Sequence, residues 1–247
     1  VHRDKVNIFM EYCEGGSLAS LLEHGKFEDE VIIQVYSLEL LEGLAYLHQS
    51  GVVHRDIKPE NILLDHNGVV KYVDFGAAEL VTKQGTRKLG TRSVIHNNSK
   101  TVSSMNNSKS KKDDLMGTPM YMAPENITGK KKGQRLGSDD IWSLGCVILE
   151  MTTGKRPWAN LDNEWAIMYH VAAGQIPQFP TANEMSLTGI QFLSRMLKHN
   201  PDARSSAVEL LLDSWIADIR SVAFNTSNSN SSSSDLEGST PTAPSKK

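Results

Sequence analysis

Along residues 28–49 apolar positions recur at helical spacing, with Ile33, Tyr36, Leu40, Leu44 and Leu47 on one face. Val31, Val35, Leu38 and Leu41 widen that face enough to predict deep burial. Glu28, Asp29 and Glu30 suit the positive end of the helix dipole, and Ser50-Gly51 supplies the stop. Before this helix, VNIFMEY (6–12) reads as a short strand, and Gly15-Gly16 then release the chain into a helix carrying Leu18, Leu21 and Leu22. After it, Ile62–Leu64 and 69–73 read as two strands joined by Asp65-His66-Asn67-Gly68, a hairpin signal. Helical patterns resume around 139–151, 163–173, 186–198 and 205–212.

From about 77 to 116 the apolar periodicity is lost. Ser, Thr, Asn and Lys dominate, with a surplus of five positive charges. A structureless loop of this length inside a domain is usually functional or disordered. The end of the chain, Ser/Asn-rich from about residue 225, reads as a disordered tail.

Composition changes this picture little. The 247 residues are 39% hydrophobic and 22% charged, enough for a well-buried core. A net charge of −3 argues against nucleic acid and membrane surfaces as partners. No apolar run approaches the roughly 18 residues of a membrane span. Cys13 and Cys146 stand far apart, without metal or redox spacing, and read as reduced, mostly packed thiols of an intracellular protein.

Candidate chemistry comes from a four-residue repeat. VHRD occurs at 1–4 and again at 53–56, but only the second copy continues as VHRDIKPEN, placing Lys58 and Asn61 two and five residues after Asp56. Thirteen residues past Asn61 comes Asp74-Phe75-Gly76. Phosphoryl transfer from a nucleotide needs hard oxygen ligands for Mg²⁺, a cation for the migrating group and a carboxylate for the attacking hydroxyl. Asn61 and Asp74 can supply the first, Lys58 the second and Asp56 the third.

HRDIKPEN at 54–61, DFG at 74–76, APE at 123–125 and DIWSLG at 140–145 follow one another in an order that resembles the eukaryotic protein kinases. The resemblance implies a mainly α, protein-kinase-like C-terminal helical lobe with a short hinge strand and a small β-hairpin, part of an α+β full domain. On it, 1–14 are a remnant of the small lobe and hinge, 15–216 the helical lobe and 217–247 the tail. The activation segment would span 74–125, with a long polar insertion at about 82–115. Lysine two places after the aspartate is the serine/threonine pattern.

The resemblance assigns roles. Asp56 accepts the substrate hydroxyl's proton, Lys58 steadies the γ-phosphoryl, and Asn61 and Asp74 hold Mg²⁺ beside ATP. Met10 is the gatekeeper, Glu11 and Cys13 offer backbone groups to adenine, and Leu63 forms the floor beneath it. Thr118 bonds the catalytic aspartate and lysine, while Met120 and Met122 line the pocket for the residue after the acceptor. Glu125 pairs with Arg204, and Asp140 braces the catalytic loop. Arg55 receives a phosphorylated Ser or Thr from the long loop. EYCEGGSLASLL (11–22), GTPMYMAPE (117–125) and RPWANLDNEWAIMYHVAAG (156–174) are similar to the MAP kinase kinase kinases, above all fungal members of the osmotic-stress cascade. The implied partner is a MAP kinase kinase, and the implied compartment the cytoplasm. Trp158 and Trp165 lie in the stretch that the resemblance places on the substrate-docking side, and each is read as a core anchor ahead of a docking role. A Gly-rich loop and strand lysine are not found in the sequence, so the small lobe is expected to be largely missing. The alternative function is a truncated, non-catalytic kinase-lobe fragment acting as an interaction module.

Overall fold

A computed structural model describes residues 9–82, 85–88, 117–129, 135–217 and 219. The first VHRD copy, most of the polar insertion and the Ser/Asn-rich tail lie outside the described residues. Seven helices carry the described structure: α1 (Leu18–Leu22), α2 (Glu30–Gln49), α3 (Pro124–Thr128), α4 (Ser138–Thr153), α5 (Glu164–Ala172), α6 (Leu187–Met196) and α7 (Ala207–Leu210). Five short strands accompany them: β1 (Val52–Val53), β2 (Ile62–Leu64), β3 (Val70–Tyr72), β4 (Glu79–Thr82) and β5 (Gly85–Lys88).

Helix α4 is the axis of the core. It is buried from Ser138 to Thr152, its polar Asp139, Asp140, Ser143 and Glu150 included. Helices α2 and α6 pack against it, and α7 closes on α2. Trp142, Phe192 and Trp215 fill the centre, the last two with ring centroids 4.6 Å apart. Helix α2 begins at Asp29, whose side chain accepts from the Val31 N–H. Ile33, Leu38, Leu40, Leu41 and Leu44 are buried as the spacing requires, and Tyr36 and Leu47 are half-buried. Val31 and Val35 are exposed instead. At 100° per residue both valines fall beyond the arc that carries the buried residues.

The hairpin β2–β3 forms as read, with Leu63 opposite Lys71. Two expectations need correction. Residues 9–12 are not a strand, because no hydrogen-bonded neighbour pairs with them among the described residues. The chain at 79–82 and 85–88 is not structureless: β4 pairs antiparallel with both β1 and β5 in a three-stranded sheet. Its residues hide the strand signal because an antiparallel ladder is held by backbone bonds, which do not require apolar alternation. Trp158 lies in the core as expected, whereas Trp165 is 78% exposed on α5. Cys13 and Cys146 are both free thiols, Cys146 buried and Cys13 half-buried. Among the described residues no helix is long and apolar enough to cross a membrane.

Candidate active site

Strand β1 delivers the chain into a tight loop, 54–58, ended by a 3₁₀ turn at Pro59–Asn61. Proline opens that turn because its fixed φ and missing N–H cost nothing there. The loop is held from beneath by one carboxylate. Asp140 Oδ2 accepts from the His54 N–H at 2.9 Å, and its Oδ1 accepts from the Arg55 N–H at 2.7 Å. His48, at the end of α2, adds Nε2 to Asp140 Oδ2 at 2.9 Å. These bonds keep Arg55 at φ 69, a left-handed backbone that non-glycine residues seldom adopt. Gly137, itself at φ 71, packs so closely under the His48 ring that a Cβ there would fall into it.

The side chains that chemistry needs converge above this support. Lys58 Nζ lies 3.1 Å from Asp56 Oδ2 and donates to Thr118 Oγ1 at 2.9 Å. Asn61 Nδ2 donates to Asp56 Oδ2 at 3.0 Å and to the Asp56 carbonyl at 2.9 Å. Both side-chain contacts fall on Oδ2, so among the described residues Oδ1 keeps its acceptor capacity for a hydroxyl. The Val73 N–H donates to the Asn61 carbonyl at 3.0 Å, which brings Asp74 to the same place. Asp74 has φ 60 and accepts from the Gly76 N–H at 3.2 Å. His54 couples the two motifs: its Nε2 meets the Val73 carbonyl at 3.0 Å and its ring lies 4.8 Å from Phe75.

Asn61 has its amide nitrogen committed to Asp56, which leaves its oxygen as a ligand atom, and Asp74 is exposed. No cluster of three His, Cys, Asp or Glu suited to a metal occurs among the described residues. That donor set fits a divalent cation that arrives with phosphates and keeps several waters.

At the far end of the segment Arg204 makes a bidentate pair with Glu125, at 2.6 and 2.8 Å, with both side chains buried. Its remaining donors go to the carbonyls of Ser138, Lys198 and His199, and its guanidinium lies 5.0 Å over the Trp142 ring. Tyr121 donates to Glu150 at 2.6 Å and the Tyr121 carbonyl accepts from Ser143. Burial, then the Glu150 charge, pushes the Tyr121 hydroxyl far above its ordinary value, so it remains a donor. Met122 is buried and Met120 is half-buried beside these groups.

The hinge residues sit apart. Met10 and Glu11 are exposed and Cys13 is half-buried. The chain just after them is tied to β2 by the Gly15 N–H to the Leu64 carbonyl at 3.0 Å and the Leu64 N–H to the Gly16 carbonyl at 2.9 Å. A Cβ on Gly15 would come 2.8 Å from Leu64 Cβ, so this approach needs glycine. Lys71, opposite Leu63, reaches Glu11 at 2.8 Å, and that carboxylate holds the ammonium above its ordinary range. Glu11, Cys13 and Leu63 therefore gather at one edge of the hairpin. Arg55 is ion-paired to Glu79 on β4. His48, Lys71 and Glu79 escape a reading by motif, since each acts through a partner distant in sequence.

A carboxylate–lysine–threonine cluster beside an asparagine and a second aspartate, carried on a mainly helical fold, is the arrangement of a protein kinase. The sequence profile of the protein kinase domain matches residues 1–216, and the chain belongs to that family, whose members use ATP and a divalent metal. It is 63% identical to MAP kinase kinase kinase SSK2 of Saccharomyces cerevisiae over 96% of this chain and 15% of that protein. It is 50% identical to MAP kinase kinase kinase wis4 of Schizosaccharomyces pombe over 89% of this chain and 15% of that protein. With human mitogen-activated protein kinase kinase kinase 4 the identity is 39%, over 87% of this chain and 12% of the relative. The chain thus spans about a seventh of the first two relatives' length.

Proposed function

We propose that the chain carries the phosphoryl-transfer centre of a serine/threonine kinase of MAP kinase kinase kinase type, acting on a MAP kinase kinase in an osmotic-stress cascade in the cytoplasm. One observation carries the reading: Lys58 bridges Asp56 and Thr118 while Asn61 clasps the same Asp56. In this reading Asp56 orients the acceptor hydroxyl and takes its proton, and Lys58 stabilises charge on the migrating phosphoryl. Asn61 and Asp74 hold Mg²⁺, which would neutralise the nucleotide's phosphates. Glu11 and Cys13 present backbone groups to adenine above Leu63, with Met10 as gatekeeper.

Thr118, the buried Glu125–Arg204 pair and Asp140 fix the geometry around the acceptor. A phosphate on the activation segment docks on Arg55 and raises activity. The similarity to SSK2 and wis4, together with the lysine two places after Asp56, supports the choice of serine or threonine and of a MAP kinase kinase as substrate.

The test is transfer from ATP and Mg²⁺ to a MAP kinase kinase, run beside Asp56→Asn. Asn keeps the shape and removes the base, and should lower turnover by about 100-fold or more. Undiminished transfer by Asp56→Asn, or phosphate found on tyrosine, would overturn the reading.

A further inference from the structure

Arg55 is not waiting for a partner. Its side chain is 6% exposed and ion-paired through Nη1 to Glu79 Oε1, and the Glu79 side chain is 23% exposed. Glu79 opens β4, five residues past Asp74, with its Cα opposite Val53 of β1. The backbone of Arg55 is fixed by Asp140, and the next residue is Asp56. One arginine therefore links the catalytic loop to the strand that leaves the metal-binding aspartate. Two other carboxylates lie near. Asp140 engages only the backbone of Arg55, and Asp139 feels its charge as a small lowering influence. Among the described residues the side-chain pair is made by Glu79.

Resting on the kinase reading, we propose that Glu79 is a positioning residue for phosphoryl transfer. Its carboxylate neutralises Arg55 before any phosphate arrives, and so holds Asp56 in place in the unphosphorylated protein. A phosphate that docks on Arg55 takes over a role Glu79 already performs, because either anion satisfies the same guanidinium. The residue thus sets the ratio between activity with and without phosphorylation. It makes no contact with substrate in this role.

The experiment compares wild type, Glu79→Gln and Glu79→Asp, each phosphatase-treated and each phosphorylated, with Asp56→Asn as the blank. Glu79→Gln should lower the turnover of the dephosphorylated protein about tenfold, the size of one lost charge-assisted hydrogen bond. The phosphorylated variant should stay within about twofold of wild type, since phosphate now fills the place. Glu79→Asp should restore most of the loss. An equal loss in both phosphorylation states would mark a purely structural residue, and no loss in either would also overturn the proposal. Transfer that Asp56→Asn leaves intact would overturn the kinase reading and Glu79's role in transfer with it. The pair itself is read separately by melting Arg55→Met, Glu79→Gln and the double variant. Losses in the double variant no larger than in either single one support the pair, and additive losses refute it.

Discussion

Two arginine–carboxylate pairs, Arg55–Glu79 and Arg204–Glu125, hold the chain at Glu79 and again at Glu125, and they are built differently. Arg204 and Glu125 are both buried, meet through two parallel bonds, and spend the remaining guanidinium donors on three carbonyls. Arg55 and Glu79 meet through one nitrogen, with the carboxylate nearly a quarter exposed. The chemistry is the same, but the surroundings differ. A pair sealed from water cannot exchange its anion without stranding a charge, whereas one whose carboxylate partner is partly exposed can. The first is therefore suited to hold a segment permanently and the second to hold it until something better arrives.

Breaking the sealed pair should have the largest effect. Arg204→Met leaves Glu125 buried and unpaired, and should cost about 3–5 kcal/mol in urea unfolding, as for other broken buried pairs. A loss below about 1 kcal/mol, in the range of exposed pairs, would erase the contrast with Arg55.

Asp139 gives a second way in, because it senses both pairs. Burial, then the Asp140 charge, raises its carboxyl to about 6. Glu125 pushes the same way, and the Asn126 hydrogen bond and the Arg55 charge oppose it. A carboxyl raised on folding binds its proton more tightly in the native state. Its contribution to stability is therefore present at low pH and is lost as pH rises from the ordinary carboxylate range towards 6. Asp139→Asn removes this term, so the stability of the variant relative to wild type should climb across that window. In an Arg55→Met background the window should extend to higher pH, because the lowering influence is gone. A stability difference that does not change with pH would show that Asp139 titrates normally and reports on neither pair.

The smallest effect belongs to a third, solvent-facing pair. Lys71→Met removes the tie to Glu11, and should leave the melting temperature unchanged while raising the KM for ATP about twofold at most, in keeping with the slight worth of exposed pairs. A large loss of stability would mean that the grading of these pairs by burial is wrong.

This grading also explains what could be read from the sequence. Asp56, Lys58, Asn61 and Asp74 could be proposed because phosphoryl-transfer chemistry asks for their types and spacing, and Thr118 only through the family resemblance. Glu125 and Arg204 were legible only through the family resemblance, since 79 positions separate them. Glu79 was not legible, because nothing local marks an acid that meets an arginine across a strand register. The helices α2 and α4 announced themselves by period, but Val31 and Val35 show that period alone overstates how wide a buried face can be. Trp165 misled for a related reason: a large aromatic predicts burial on average, and composition does not say which tryptophan of two faces water. The β4–β5 ladder was hidden because its cohesion lies in main-chain bonds.

That ladder is short. Strand β1 offers two residues, and β4 aligns Val53 with Glu79 and Val52 with Leu80. Side chains alternate across a strand, so sliding β4 by a single residue would turn Glu79 to the opposite face and set Ala78 or Leu80 against Val53. Arg55 would then meet no carboxylate from that strand at all. The charge beside Asp56 is consequently delivered in whole steps of register: the strand docks in the frame that brings the acid, or in a neighbouring frame that withholds it.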